Sequence, residues 1–175
     1  MGSPSTCLET GYLLPEYWLD ANTFIQAKNG HYGFDIVPGF WEFLDQRSDE
    51  GVVSSSTLVY DELVSDFEDE LADWVKERRG TNLFLEPDEA VQDALREIAQ
   101  HVNENYEPNQ AAEFLAGADP WLIAHARAQG GKVVTQEVRV GGNSKKVKIP
   151  NVCDAFGVES VNMYQMLRES GASLR

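Results

Sequence analysis

Apolar positions along this chain follow two rhythms. Short blocks without alternation read as strands buried on both faces: Tyr17-Trp18-Leu19, Val52-Val53 running into Ser54-Ser55-Ser56, Lys132-Val133-Val134-Thr135, and a stretch near Val158 to Val161. Elsewhere apolar residues recur at three- and four-residue steps, the period of a helix packed on one side. Tyr60, Val64, Phe67, Leu71 and Trp74 keep that step without a break and predict one continuous helix, stopped by Gly80. Its other faces carry Asp61, Glu62, Asp66, Glu68, Asp69, Glu70 and Asp73, an acidic run expected to face solvent.

Phe34, Val37, Phe40, Trp41 and Leu44 predict a helix after Pro38, and Val91, Leu95, Ile98 and Val102 another that ends before Pro108. A helix is also expected from Asn22 or Thr23 to the turn at Asn29-Gly30. Ala118-Asp119-Pro120-Trp121 has the layout of a helix start, with Asp119 as N-cap and Pro120 in the first helical position, and Gly130-Gly131 ends that helix. Leu83-Phe84-Leu85 is a short extended piece, and Val152 to Phe156 and Met163 to Arg168 are short helices. A loop or hairpin runs through Gly141-Gly142-Asn143 to Ile149-Pro150.

Strands that alternate with helices predict an α/β fold around a mainly parallel sheet of four or five strands, covered on both faces. Right-handed crossovers then put every strand's carboxyl end on one edge, where ligands bind in open sheets of this kind. No Gly/Ser/Pro-rich linker divides the 175 residues, so residues 16–175 read as one domain behind a tail at 1–15.

Composition narrows the class. Hydrophobic residues make up 42% of the chain, which excludes a disordered chain. The 14 Lys+Arg stand against 29 Asp+Glu, a net charge of −15, which argues against coating nucleic acid or an anionic membrane by bulk charge. Two cysteines, Cys7 and Cys153, make neither a disulfide framework nor a zinc pattern and suit a cytoplasmic protein. No apolar run is long enough to span a bilayer. The opening Met1-Gly2-Ser3-Pro4-Ser5-Thr6 fits a myristoylation pattern but reads as a tail.

Placed on this frame, the acids converge. Asp20 ends the first strand, Glu62 follows the second, Asp119 starts the helix that leads into the third, and Glu137 lies just past that third strand. Carboxylates a few ångströms apart raise one another's pKa, and a divalent cation removes the conflict. All-oxygen ligation selects Mg²⁺ or Mn²⁺. No Gly-x-Ser-x-Gly, Cys–His pair or Walker spacing supplies another chemistry. A carboxylate-held metal activates water and stabilises charge on a phosphoryl oxygen, which predicts phosphodiester hydrolysis. Each acid also has a plainer role: Asp20 and Asp119 as helix caps, Glu137 as an exposed strand end, and Glu62 as one more surface acid. Glu62 lies about 200° around the helix from Tyr60, so Asp61 competes with it.

At these residues the sequence resembles the PIN-domain ribonucleases, a family that includes the toxins of many bacterial and archaeal toxin–antitoxin pairs. The matching pieces are Leu19-Asp20-Ala21-Asn22, Val59-Tyr60-Asp61-Glu62-Leu63, Ala118-Asp119-Pro120-Trp121-Leu122-Ile123-Ala124 and Val133-Val134-Thr135-Gln136-Glu137. Lys148-Ile149-Pro150-Asn151-Val152-Cys153 and Met166-Leu167-Arg168 look like one uncharacterised PIN-like subgroup. The resemblance covers roughly residues 16–170 and implies a three-layer α/β/α sandwich. It also implies a Mg²⁺- or Mn²⁺-dependent endoribonuclease, with an antitoxin protein as partner beside the RNA substrate; a homodimer is left open. Carried over, Asp20, Glu62 and Asp119 are the three core acids, and Asn22 and Thr135 support them. The family usually places Asp or Asn shortly after that Thr, whereas here Glu137 follows by two residues, with Asp154 as its substitute.

RNA binding by an acidic protein needs a local exception to the charge. From Val138 to Ile149 the charged residues are Arg139, Lys145, Lys146 and Lys148, with no acid among them, and this loop is expected to contact the substrate backbone. His31, His101 and His125 have no ligand spacing and are given no role, and Ser54-Ser55-Ser56 has no base beside it in sequence. Two other readings stand beside the ribonuclease: a phosphatase or other phosphate-ester hydrolase on a similar sheet, and a PIN-like binding module without turnover.

Overall fold

The computed structural model describes residues 13–174. Cys7, the Met1–Thr6 pattern and most of the 1–15 tail lie outside the described residues. Five strands occur among those described: β1 (Tyr17–Leu19), β2 (Val53–Ser56), β3 (Phe84–Leu85), β4 (Lys132–Val134) and β5 (Ser160–Val161). They form one sheet in the order β3-β2-β1-β4-β5, and every neighbouring pair is parallel. Tyr17 lies opposite Val53 on one side and Lys132 on the other. Successive residues of β1 and β2 are all buried, the mark of a sheet covered on both faces. The fold is α/β, a five-stranded parallel sheet flanked by helices, as the alternation of strands and helices predicts.

The helices are α1 (Ala21–Asn29), α2 (Pro38–Asp49), α3 (Thr57–Ser65), α4 (Glu70–Lys76), α5 (Glu89–Asn105), α6 (Pro108–Ala116), α7 (Asp119–Gln129), α8 (Ile149–Ala155) and α9 (Met163–Glu169). Helix α7 packs on β1, β2 and β4 and carries α5 on its outer side. Helix α2 lies on β2, while α3 contacts β2, β3, α1 and α4. Trp18, Phe24, Phe40, Leu44, Ile98 and Leu122 are fully buried between these layers. None of the described helices is long and apolar enough to cross a membrane.

Strand order decides where a ligand can enter. The chain builds outward from β1 through β2 to β3, then returns to the other side of β1 for β4 and β5. The direction reverses between β1 and β4, and the carboxyl ends of two such strands flank a crevice. Gly131 makes the entry into β4 possible: its φ is +97°, and a Cβ there would stand 2.6 Å from the Pro15 carbonyl oxygen.

One expected helix divides, one helix is added, and the loop-or-hairpin alternative resolves to a loop. The stripe from Tyr60 to Trp74 is two helices, because Asp69 starts a new one by accepting from the Ala72 N–H at 3.0 Å. Apolar spacing continues through the break because both helices lie along the same core. Residues 108–116, left without an element, form α6, begun by Pro108 in the first turn. Among the described residues no strands pair between 138 and 148, so the segment is a loop rather than a hairpin. Asn151 holds its start instead, donating to the Val140 carbonyl at 2.9 Å and accepting from the Val140 N–H at 3.0 Å.

Candidate active site

Asp20 directly follows β1 and is 1% exposed. Its backbone N–H donates to the Val134 carbonyl at 3.1 Å, which holds it at the crevice between β1 and β4. Its Oδ1 caps α1, accepting from the Thr23 N–H at 2.7 Å and the Thr23 hydroxyl at 2.6 Å. Its Oδ2 accepts from the Thr135 hydroxyl at 2.7 Å. Burial raises the pKa of Asp20 and the Glu137 charge adds to that, while the Thr23 and Thr135 bonds pull it down. Capping and site geometry therefore coexist in one carboxylate, each oxygen with its own partner.

Asp119 is not the N-cap of α7. Ala118 takes that place in a helical conformation, and Asp119 is the first helical residue, its carboxylate making no capping bond. The Ala118 N–H donates to Glu62 Oε1 at 2.8 Å. Glu62 thus reaches from α3 to the start of α7. Asp61 is exposed and has no such contact.

Burial pushes the pKa of Asp119 up to about 7, and the charges of Asp20, Glu137 and Glu62 push the same way. Lys148 opposes them. One carboxyl therefore feels the other three acids singled out in the sequence, although they come from separate parts of the chain. Glu137 is more constrained than a free ligand would be. Its Oε2 accepts from the Ile149 N–H at 2.8 Å, Lys148 Nζ lies 3.4 Å from its Oε1, and its own N–H donates to Thr135 Oγ1 at 3.1 Å.

Other assignments shift. Asn22 is exposed and its side chain makes no hydrogen bond among the described residues, while Thr23 performs the supporting contact. Part of the signal was available: an Asp before a helix is a favoured N-cap whose oxygen accepts from the backbone N–H two or three residues on, here that of Thr23. Asp154 is paired bidentately with Arg139 at 2.7 Å, and that pair holds its pKa low. Asp154 is therefore outside the acid cluster, and Arg139 is committed away from it. Lys148 faces Glu137, whereas Lys145 and Lys146 are exposed and have no ion-pair partner among the described residues.

Sequence spacing also hid the Ser56–His125 contact. His125 Nε2 lies 3.2 Å from Ser56 Oγ, the ring stacks on Trp18 at 4.7 Å, and burial lowers its pKa to about 4. Ser56 caps α3, so this buried contact ties the start of the Glu62 helix to the middle of the Asp119 helix. Cys153 is buried, which lifts its thiol to about 12 and makes it inert.

A cavity of about 460 Å³ opens over Asp119 and Glu137, walled by Gln110, Glu113 and Phe114 of α6 on one side and by Lys146 and Lys148 on the other. Among the described residues, no three His, Cys, Asp or Glu side chains are arranged as a ready-made metal cage. The chemistry of the donor set nevertheless fits a hard cation: all oxygen, mutually repelling, and offset only by Lys148.

Comparison with known proteins follows this geometry. The family described as "Domain of unknown function (DUF4411)" matches residues 17–174. Among solved structures, VapBC2 from Rickettsia felis bound to a DNA fragment from its promoter has a similar fold. The TM-score is 0.51 at 14% identity, covering 83% of this chain and 97% of that one. No curated protein matches the chain.

Proposed function

This chain belongs to the DUF4411 family, and we propose that it is a Mg²⁺- or Mn²⁺-dependent endoribonuclease acting as the toxin of a toxin–antitoxin pair. The observation that carries the reading is Asp119, a carboxyl raised to about 7 by burial and by Asp20, Glu137 and Glu62. Keeping four acids on one crevice costs folding energy, and a divalent cation recovers it. Asp20, Glu62 and Asp119 would hold that ion, with Glu137 joining when it leaves Lys148. When bound, the ion supplies a more acidic water and charge stabilisation on a phosphoryl oxygen.

The protein's own residues do the rest. Thr23 and Thr135 fix both oxygens of Asp20, so the carboxylate needs no reorganisation on binding. Glu62 holds the start of α7 and with it Asp119. Lys146 and Lys148 line the same cavity as Asp119 and Glu137, where they offer positive charge to a phosphodiester. RNA as substrate rests on the sequence resemblance to PIN ribonucleases. The antitoxin partner rests on that resemblance together with the fold likeness to VapBC2.

A second reading, a binding module without turnover, is favoured by one observation: both Glu137 oxygens are occupied by Ile149 and Lys148. A single experiment separates the readings. Purified protein is incubated with RNA, DNA and a phosphomonoester, with Mn²⁺ or a chelator, beside Asp20→Asn and Asp119→Asn. Metal-dependent RNA cleavage lost in both variants supports the proposal. Monoester turnover transfers the site to a phosphatase, and RNA binding without cleavage to the module.

A further inference from the structure

A second cavity lies apart from the acid crevice. It encloses about 650 Å³ between the end of α5, the start of α6 and the loop at 140–146. Its lining brings together three kinds of group: Lys145 and Lys146 from the loop, the Tyr106 side chain at the end of α5, and Glu104 and Glu107 on either side of that tyrosine. Lys146 lines this cavity and also the one over Asp119 and Glu137, so the two meet at that side chain.

We propose that this groove is a subsite for an unpaired nucleotide of the RNA strand, next to the phosphodiester held over Asp119; the inference rests on the ribonuclease reading. The two lysines have no ion-pair partner among the described residues, unlike Arg139 and Lys148. They stand free to meet backbone phosphates, and they sit where the strand leaves the acid crevice. A groove lined by cations alone would take any polyanion. Here Glu104 and Glu107 face the same space, and carboxylates accept hydrogen bonds from base amino groups. Tyr106 is half-buried and its ring offers a surface on which a base can stack. Phosphate on the lysine side and base on the α5 side is the division of labour these groups dictate. A cavity of this size admits a nucleotide, and a base that stacks on Tyr106 while its amino group meets a carboxylate must be unpaired, so single-stranded RNA is the fitting ligand.

The test uses the full chain carrying Asp119→Asn, so that RNA is not consumed. Fluorescence anisotropy measures affinity for short labelled oligo-C, oligo-A and oligo-U strands and for a fully paired duplex. Lys145→Glu combined with Lys146→Glu, both exposed, is expected to weaken binding at least tenfold and to flatten its salt dependence. Tyr106→Ala is expected to cost about 5- to 100-fold and Tyr106→Phe to restore binding. Glu107→Gln is expected to narrow the preference for oligo-C and oligo-A, whose bases carry amino groups, over oligo-U. The same groove substitutions in the parent chain should change which positions of an RNA are cut. If the parent chain cleaves RNA while the lysine double variant binds and cuts as before, the groove proposal is overturned and the ribonuclease reading stands. If the parent chain neither binds nor cuts RNA, both fall together. Tighter binding of duplex than of single strands also overturns the groove.

Discussion

Glu62 and Ala118 are joined across 56 positions of sequence by one hydrogen bond, from the Ala118 N–H to Glu62 Oε1 at 2.8 Å. That bond closes the start of α7 and places a second carboxylate beside Asp119. Glu62→Gln keeps an acceptor for Ala118 but removes a charge, so the pKa of Asp119 should fall from about 7. Carbon-13 NMR titration of the carboxyl groups reads this directly; an unmoved Asp119 would show that Glu62 does not act on it. Glu62→Ala strands the buried Ala118 N–H and should lower stability by about 1–3 kcal/mol relative to Glu62→Gln.

Asp119 also makes stability depend on pH. Its folded pKa, about 7, lies above the ordinary 3.8, so the folded state holds the proton more tightly than the unfolded chain does. The destabilisation is absent below about pH 4, grows as pH rises toward 7, and is fully present above it. Asp119→Asn removes it. In the absence of metal the variant should be more stable than the parent above pH 7, by about 1–3 kcal/mol, with the difference closing near pH 4. Urea melts across that range measure it, and a constant offset at all pH values would contradict it.

Thr135 is buried, donates to Asp20 Oδ2 and accepts from the Glu137 N–H. Thr135→Val leaves a buried carboxylate oxygen and a backbone N–H without partners. The expected loss is about 1.5–3 kcal/mol together with a further rise in the pKa of Asp20, while Thr135→Ser should retain most of both. Equal melting temperatures for the two variants would mean that the hydroxyl is idle.

Metal should act as a stabilising ligand. Mn²⁺ at a hundred times its dissociation constant should add about 2.7 kcal/mol, reversed by a chelator. Asp20→Asn should abolish the gain. A gain that survives in Asp20→Asn would locate the ion elsewhere.

Much of the fold was readable because it rests on local rules. The apolar blocks at 17–19 and 132–134 became β1 and β4 at nearly the expected bounds, since a parallel strand buried on both faces favours an unbroken apolar run over alternation. The break between α3 and α4 was not readable from apolar spacing, because spacing reports a shared buried side and not continuity of the backbone. Helix α6 escaped because its two buried residues, Ala111 and Phe114, make too short a stripe to count.

The site divides along the same line. Residue order alone determined which acids lie near strand ends, because a strand's end and a helix's start are local events. What each carboxylate does there was decided only when distant segments met. Asp20 divides its oxygens between Thr23 and Thr135, Glu62 crosses to the Ala118 N–H beside Asp119, and Glu137 is drawn to Ile149 and Lys148. Electrostatic energy depends on separation in space, and hydrogen bonding depends on geometry within a few tenths of an ångström; a one-dimensional string carries neither.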